Sequence, residues 1–364
     1  MKTLFLTADL GGNVPPALAV AEELARRGMD VEVAGLSGAR TTLPQPPFPA
    51  ATGIKPEGRE QGPRELRAAL RLMTSRATSA ATSALVAERR ADAVVVDCIL
   101  PAVIRGALDT GAPVVVLFHT FGAYWARWFD RGPAGAAFRL LGVSPRAVWA
   151  EAAERLLLTD PELDPGRDDP ALAGATWTGT TEVGVEPGPR GDRPRVLVAL
   201  SSTQWPGMLS VYRRIVAALA GLPVDAVVTT GGVPLGGELP GAANVDVRGW
   251  VDHRELLPMV DLVIGHGGHS TTFKALAHGV PLLILPVNPT ADQRLIGGVI
   301  EDAGLGRRLP KSARTETIRA AASEILADRG IRARAEGTGR RLRSQPPGAL
   351  VAADRIAAML DRSG

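Results

Sequence analysis

"DLVIGHGGHSTTFKALAHGVPLLILP", residues 261–286, decides the fold. Its first apolar run stops at Gly265, and a His-Gly-Gly-His turn follows. Two hydroxyl residues then open a helical stretch through "FKALAHG", and a second apolar run begins at Pro281. Short runs that are apolar on every side, separated by one amphipathic helix, form a βαβ unit of a parallel sheet covered on both faces. The turn also carries chemistry. A helix starting near Ser270 presents unpaired N–H groups and the positive end of its dipole. Gly267 and Gly268 let the backbone approach a ligand, and Ser270 and Thr271 add hydroxyl donors. This is a phosphate cradle, although a glycine-rich turn capped by Ser270 is the plainer reading of the same residues.

The pattern repeats in both directions. Toward the N-terminus, strands are expected at 3–7, 30–36, 92–98, 112–120 and 154–160, with helices at 15–28, 64–90 and 101–111. Residues 43–58 are Pro-rich and without period, hence a loop. From Asp164 to Pro194 the chain is dense in Gly, Pro and Asp, and its later part, 176–194, is read as a linker. Beyond it the alternation restarts, with strands at 195–202, 225–231, 244–251, 261–266 and 281–286 and a helix at 209–221. Helices are expected to fill the chain from about Ala291. The reading is therefore α/β, with two Rossmann-like domains of parallel sheet facing across a cleft: residues 1–175 and 195–364. The last helix is free to pack back on the first domain. Both Gly-bearing turns, 9–13 and 265–270, fall at carboxyl ends of strands, where open parallel sheets bind ligands.

A length of 364 residues suits two domains. The 41 basic residues nearly balance 38 acidic ones, so no nucleic-acid partner or membrane-surface face is implied. A single cysteine, Cys98, excludes an internal disulfide and a multi-cysteine metal site. No apolar stretch reaches the roughly 18 residues of a membrane span, and the run after Lys2 is too short for a signal peptide. A cytoplasmic protein without stable membrane insertion is expected.

More of the chain carries a resemblance. "GHGGHSTTFKALAHGVPLLILPVNPTADQ" (265–293), preceded by "RGWVDHRELLPMVDLVIGH" (248–266), resembles the donor-binding signature of family-1 nucleotide-sugar glycosyltransferases, and most closely the bacterial enzymes that glycosylate antibiotics. The resemblance implies the GT-B fold and sugar transfer with inversion from a nucleotide sugar, dTDP- or UDP-linked. It implies no cofactor and no metal. It places Trp250 against the nucleobase, Val251 at the base edge, and His266, Gly267, Gly268, Ser270 and Thr271 at the diphosphate. Ser202, in "VALSST", stands close to the same phosphates, and Asp292 and Gln293 at the sugar hydroxyls. There are departures: His269 stands where a small residue is common, Ser270 where Gly or Asn is usual, and Lys274 where Glu is frequent. His269 and His278 read as structural.

The acceptor side departs further. Members that make O-glycosides carry a base histidine just after the first strand, oriented by an aspartate at the end of a later strand. Here "GGNVPP" (11–16) puts Asn13 at the histidine position, and a neutral amide is no base near pH 7. Asp97, in "VVVDC", matches the orienting aspartate. Three explanations stand side by side. Asp97, Asp9 or His119 is the base; or the acceptor is a phenol or activated aromatic carbon needing little help, which would permit a C-glycosidic bond; or the protein binds without transferring. Phe121, Tyr124, Trp125, Trp128 and Phe129 put five of the chain's fifteen aromatics within nine residues. Phe121, Tyr124 and Trp125 are the expected contacts of a small aromatic or polyketide-like aglycone, with a buried helix face as the other reading.

Alternatives of other classes are a lipid-linked N-acetylglucosaminyl transferase of cell-wall synthesis, a nucleotide-sugar 2-epimerase, and a non-catalytic nucleotide-sugar or aglycone-binding protein. A monomer or homodimer is expected.

Overall fold

The computed structural model describes residues 1–363 except Ala39, Thr52, Gly53, residues 55–62, Arg190 and Ser202. Two compact units emerge from the described residues. One takes the chain up to Thr181 together with Pro346 onward, and the other takes Glu182–Gln345.

The first unit holds a six-stranded parallel sheet in the order β2-β1-β3-β4-β5-β6. Its strands are β1 (Lys2–Leu6), β2 (Asp30–Ala34), β3 (Ala93–Asp97), β4 (Val114–Phe118), β5 (Glu154–Leu157) and β6 (Thr176–Trp177). Alternate residues face opposite sides, as strand geometry demands. Leu4, Leu6, Val94, Val96, Val114 and Val116 enter one core. Phe5, Val31, Val33, Val95, Val115 and Leu117 enter the other. Both faces are apolar because helices cover both. The helices Val14–Arg26 and Gly348–Ser363 lie together over the second face, the latter through Ala349, Ala352, Ala353 and Ile356.

The second unit repeats the plan in the order β12-β11-β10-β7-β8-β9, again all parallel. Here the strands are β7 (Arg195–Ala199), β8 (Asp225–Thr229), β9 (Val245–Arg248), β10 (Leu262–Gly265), β11 (Leu282–Ile284) and β12 (Gly306–Arg308). Val196, Val198, Val228 and Ile264 pack on the helices Met208–Ala220 and Thr315–Ala327 through Val211, Tyr212, Ile215, Ile318 and Ile325. Each such side chain, fully buried, contributes about 1.5–3 kcal/mol.

Three expectations are corrected. The helix read over 64–90 is two helices, Pro63–Thr74 and Arg76–Arg89, because the Ser75 hydroxyl caps the second by accepting from the Thr78 N–H at 3.1 Å. The tail from Ala291 is not all helix. "GRR" forms the edge strand β12 with no apolar alternation to announce it, held by backbone pairing to β11. The linker stretch contains β6, a two-residue edge strand.

Strand order reverses at one place in each sheet. β1 lies between β2 and β3, and β7 lies between β8 and β10. In open parallel sheets, ligands bind beyond the carboxyl ends of the strands at such a switch point. Among the described residues, no helix is long and apolar enough to cross a membrane.

Candidate functional site

At the switch point of the first unit, three strand ends meet. Asn13 opens the helix after β1, Asp97 ends β3, and His119 follows β4. Asn13 is buried, and its side-chain amide donates to Asp97 Oδ2 at 2.6 Å, to the Ala8 carbonyl at 2.8 Å and to Thr7 Oγ1 at 3.2 Å. The other carboxylate oxygen, Oδ1, accepts the Ile99 N–H at 3.1 Å and stands 3.3 Å from His119 Nδ1. That last contact is close but not aligned as a hydrogen bond, so Nδ1 is left without a partner. Catalytic hydrogen bonds are often loose before substrate arrives and tighten with it. Burial pushes the Asp97 carboxyl up, but the nearby His119 imidazole, when charged, and the bonds from Asn13 and Ile99 outweigh it and hold it below its usual range.

The same place gathers orphaned polar atoms. Asn13 Oδ1, His119 Nδ1, Thr120 Oγ1 and Trp125 Nε1 are all buried and all without a partner. Buried polar groups are nearly always paired, so four orphans on Asn13 and the stretch His119–Trp125 point to a site and not a defect. Asp97, Cys98 and His119 also bring a carboxylate, a thiol and an imidazole within 4.8 Å of one another, a set that a metal ion would use. Burial, and then the Asp97 charge, keep the Cys98 thiol well above its ordinary pKa and therefore protonated, which works against it as a ligand. Asp9, the remaining candidate base, is buried with Arg40 3.2 Å away.

The aromatic segment does not form an open aglycone wall as expected. Phe121 and Trp125 are each 1% exposed, and Trp125 lies in the first unit's core, edge-on to Phe118, Phe129 and His119. A run of π-helix, Tyr124–Asp130, turns the segment so that Trp125 and Phe129 point inward. Tyr124 is half-buried, and Trp128 is left exposed. Trp125 supports the His119 ring, its centroid 5.0 Å away; Tyr124 packs edge-on to Trp125, and Trp128 is the exposed aromatic of the segment.

In the second unit, the His-Gly-Gly turn leaves β10 and opens the helix His269–Ala277. Gly267 takes φ +85°, and a side chain there would strike Gln293 and Ile284. At Gly268 a Cβ would fall 2.5 Å from His266 Nε2, so an edge of the imidazole sits against that glycine. The helix has no side-chain cap, which leaves its first N–H groups to a ligand. Burial lowers the His266 pKa to about 4, so the ring is neutral, and its Nδ1 has no partner. Ser270 donates to Glu182, and Thr271 is half-buried. Ser202 lies outside the described residues.

Trp250 is 75% exposed, which removes it from the core and leaves a bare aromatic face; Val251 beside it is half-buried. Asp292 stands at the start of the helix Gln293–Asp302 without capping it. Gln293 is buried, and its Oε1 accepts the N–H groups of Val287 and Asn288 at 2.8 and 2.9 Å. Only its amide nitrogen remains to donate. His278 is buried, its Nδ1 2.7 Å from the Lys274 carbonyl, and His269 packs against Phe273, as structural residues do. A cavity of about 560 Å³ elsewhere in the unit is lined by Leu197, Val227, Leu256 and Met259, and no cradle residue touches it.

With this geometry in view, the comparisons with known proteins are direct. Residues 213–359 match the family described as "Erythromycin biosynthesis protein CIII-like, C-terminal domain". That part of the chain is similar to this family's domain. Over 176 residues, 47% of the chain, it is 34% identical to demethyllactenocin mycarosyltransferase of Streptomyces fradiae, over 37% of that protein. It is 38% identical to 4'-demethylrebeccamycin synthase of Lentzea aerocolonigenes over 112 residues, 30% of this chain and 26% of that protein. The chain thus spans less than half the length of the curated relatives it matches. Among solved structures, the glycosyltransferase of kitacinnamycin superposes with a TM-score of 0.78 at 23% identity over 98% of both chains. Glycosyltransferase VinC, in complex with dTDP, gives 0.73 at 19% identity over 100% of both. Likeness at this identity is one of fold, and the chain has the GT-B fold of these glycosyltransferases.

Sequence reasoning missed Glu182, which lies in the stretch read as linker, accepts the Ser270 hydroxyl and stands 3.8 Å from Lys274.

Proposed function

We propose that the protein is an inverting glycosyltransferase. It moves a sugar from a nucleoside diphosphate to a hydroxyl of a small lipophilic or aromatic acceptor, with His119 as general base. The observation that carries this is the engagement of Asp97: Asn13 on one oxygen, Ile99 and His119 on the other. Where the resembling enzymes place a base after β1, this chain places an amide, and an imidazole from β4 stands 3.3 Å from the carboxylate instead. Asp97 itself is spent on these partners, and Asp9 is tied to Arg40.

The chemistry follows from the tautomer. With Nδ1–H turned to Asp97, Nε2 is the basic nitrogen, and it takes the proton of the acceptor hydroxyl as that oxygen bonds the anomeric carbon. The bond from that carbon to the diphosphate breaks on the opposite side, which inverts the centre. The diphosphate leaves onto His266, the helix N–H groups and Thr271, donors that meet its growing charge. Trp250 offers the nucleobase a stacking face. Asp292 and the Gln293 amide offer the sugar one acceptor and one donor. A dTDP-linked sugar is the first donor to test, since VinC was solved with dTDP.

A mass-spectrometric screen of dTDP- and UDP-sugars against phenolic and alcoholic acceptors tests the reading. Transfer to a hydroxyl is expected. Absence of transfer from every nucleoside diphosphate sugar, with no binding of free dTDP or UDP, would sink it.

A further inference from the structure

The turn that follows His119 is held by a carboxylate from another part of the chain. A helical run starts at Gly122 and continues as the π-helix Tyr124–Asp130. The first N–H groups of a helix have no partner within it, and its positive end favours an anion. Asp164, 4% exposed, meets both needs. Its Oδ2 accepts the Gly122 N–H at 2.7 Å, and its Oδ1 accepts the Ala123 N–H at 3.2 Å.

The carboxylate is itself fixed. Asp-Pro-Gly, residues 164–166, makes a turn in which Oδ1 also accepts the Gly166 N–H at 2.8 Å. From the edge strand β6, the Trp177 indole donates to Oδ2 at 2.8 Å. Each oxygen thus takes two donors, which fills a carboxylate. A Cβ at Gly166 would fall 2.2 Å from the Ala123 nitrogen, so the two backbones touch. Arg127, further along the π-helix, donates to the Pro165 carbonyl at 2.9 Å.

What the clamp holds decides its use. Trp125 follows Ala123 by two residues, and its ring stands edge-on to the His119 imidazole at a centroid distance of 5.0 Å. Elsewhere Trp125 is wedged among Phe118, Phe129 and Trp149. His119 Nδ1 lies 3.3 Å from Asp97 Oδ1 without an aligned bond, which leaves the direction of the ring to what packs on it. A carboxylate that merely closed a loop could sit anywhere along it. This one grips the backbone between the imidazole and the indole that braces it.

We propose that Asp164 is a positioning residue for the transfer reaction: by holding Gly122 and Ala123 it sets Trp125 against His119 and keeps the imidazole facing Asp97. This rests on His119 as the base of the proposed function. Asp164 touches no reacting atom and acts through the indole alone. Its effect on rate is therefore one of geometry, and a misplacement of about 1 Å at a reacting group costs on the order of 10²-fold.

The test measures transfer by the full chain to para-nitrobenzyl alcohol and para-nitrophenol, which are similar in size and far apart in acidity. The donor is whichever dTDP- or UDP-sugar the wild type uses best. An alcohol needs a general base much more than an acidic phenol does. Asp164→Asn keeps the shape of the side chain but puts a donor where an acceptor stood. It should lower transfer to the alcohol by about tenfold to a hundredfold. Transfer to the phenol should fall less than about threefold, with the donor KM within about twofold. In the His119→Ala background the same substitution should cost nothing further, because its route to the reaction is gone. Equal losses on both acceptors, or a loss that persists without His119, would leave Asp164 a structural residue only and overturn the proposal. Trp177→Phe takes one donor from Oδ2, spares the backbone bonds, and should lower the alcohol-to-phenol ratio by about threefold. Should Asp164→Asn not fold, an unchanged ratio in Trp177→Phe overturns the proposal by itself. A His119→Ala variant as active as the wild type is a different result: it removes the base of the proposed function, and the proposal falls with it.

Discussion

The two switch points of this molecule are built differently. At β7 and β10 the site is one continuous turn, His266–Thr271, working mostly through backbone: a bent glycine, open helix N–H groups and a ring edge set against Gly268. At β1 and β3 the site is assembled from side chains on three strand ends, Asn13, Asp97 and His119. A backbone site tolerates few changes, because Gly267 at φ +85° has no substitute without strain. A side-chain site can be rebuilt, because an imidazole approaching Asp97 from β4 serves the carboxylate as well as one approaching from β1. The comparison teaches where chemistry can migrate in this fold.

The largest effect should separate the two sites outright. His119→Ala removes the proposed base and should lower transfer to alcohols by about 10² to 10⁴. Affinity for dTDP or UDP by calorimetry should stay within twofold. Transfer that survives His119→Ala intact would show that the rebuilt site is not the catalytic one.

His266→Ala should do the reverse in kind. Loss of one charge-stabilising donor costs about 10² to 10³ in rate. Here free nucleoside diphosphate should bind more weakly too, because its phosphates are the partners. If the variant keeps nucleotide affinity and turnover, the cradle is only a turn.

How much of this was legible follows the same division. The phosphate turn reads from its own residues, since Gly267, Gly268 and the hydroxyls are contiguous and their geometry is local. The parallel sheets were legible for the same reason, from runs such as Val94–Val96 and Val114–Val116. β12 was not, because Arg307 and Arg308 sit on an edge where pairing, and no apolar face, decides. Asn13 announced a missing base, but that His119 faces Asp97 depends on the pairing of β3 with β4, which no local pattern carries. Trp125 was misplaced because a π-helix shifts which aromatic residues face inward, and Phe121 is buried just ahead of it. Glu182 was hidden among the glycines and prolines of a stretch that looked like spacer.

Acidification offers a gentler probe of the cradle. His266 falls from an ordinary 6.5 to about 4 on burial, so the folded protein binds its proton more weakly than the unfolded chain does. Its contribution to stability is therefore complete above pH 6.5 and is lost as pH falls toward 4. Between pH 7 and pH 5 that amounts to about 2 kcal/mol. Unfolding free energies of wild type and His266→Ala from urea titrations should converge by that amount as pH drops. Parallel curves at the two pH values would show that the ring is not shielded as the structure has it.

The smallest expected effect concerns Asn13, and it is the one that tests whether the side-chain site was rebuilt or only damaged. Asn13 donates to Asp97, Ala8 and Thr7 in a closed slot with 3% exposure. Asn13→His restores the base position of the resembling enzymes, yet Asp97 already serves His119, and one carboxylate cannot align two imidazoles. The larger ring also overfills a packed site, at about 1–3 kcal/mol of stability. Transfer to alcohols should therefore change little, within about threefold, in the otherwise wild-type chain. The decisive background is His119→Ala. There Asp97 is free to orient a histidine at position 13, and Asn13→His should recover part of the lost rate, measured by product formation at a fixed donor concentration. Recovery would show that one carboxylate can direct a base from either strand end. A large gain in the wild-type background would instead mean that His119 was never the base and that the native chain transfers without one.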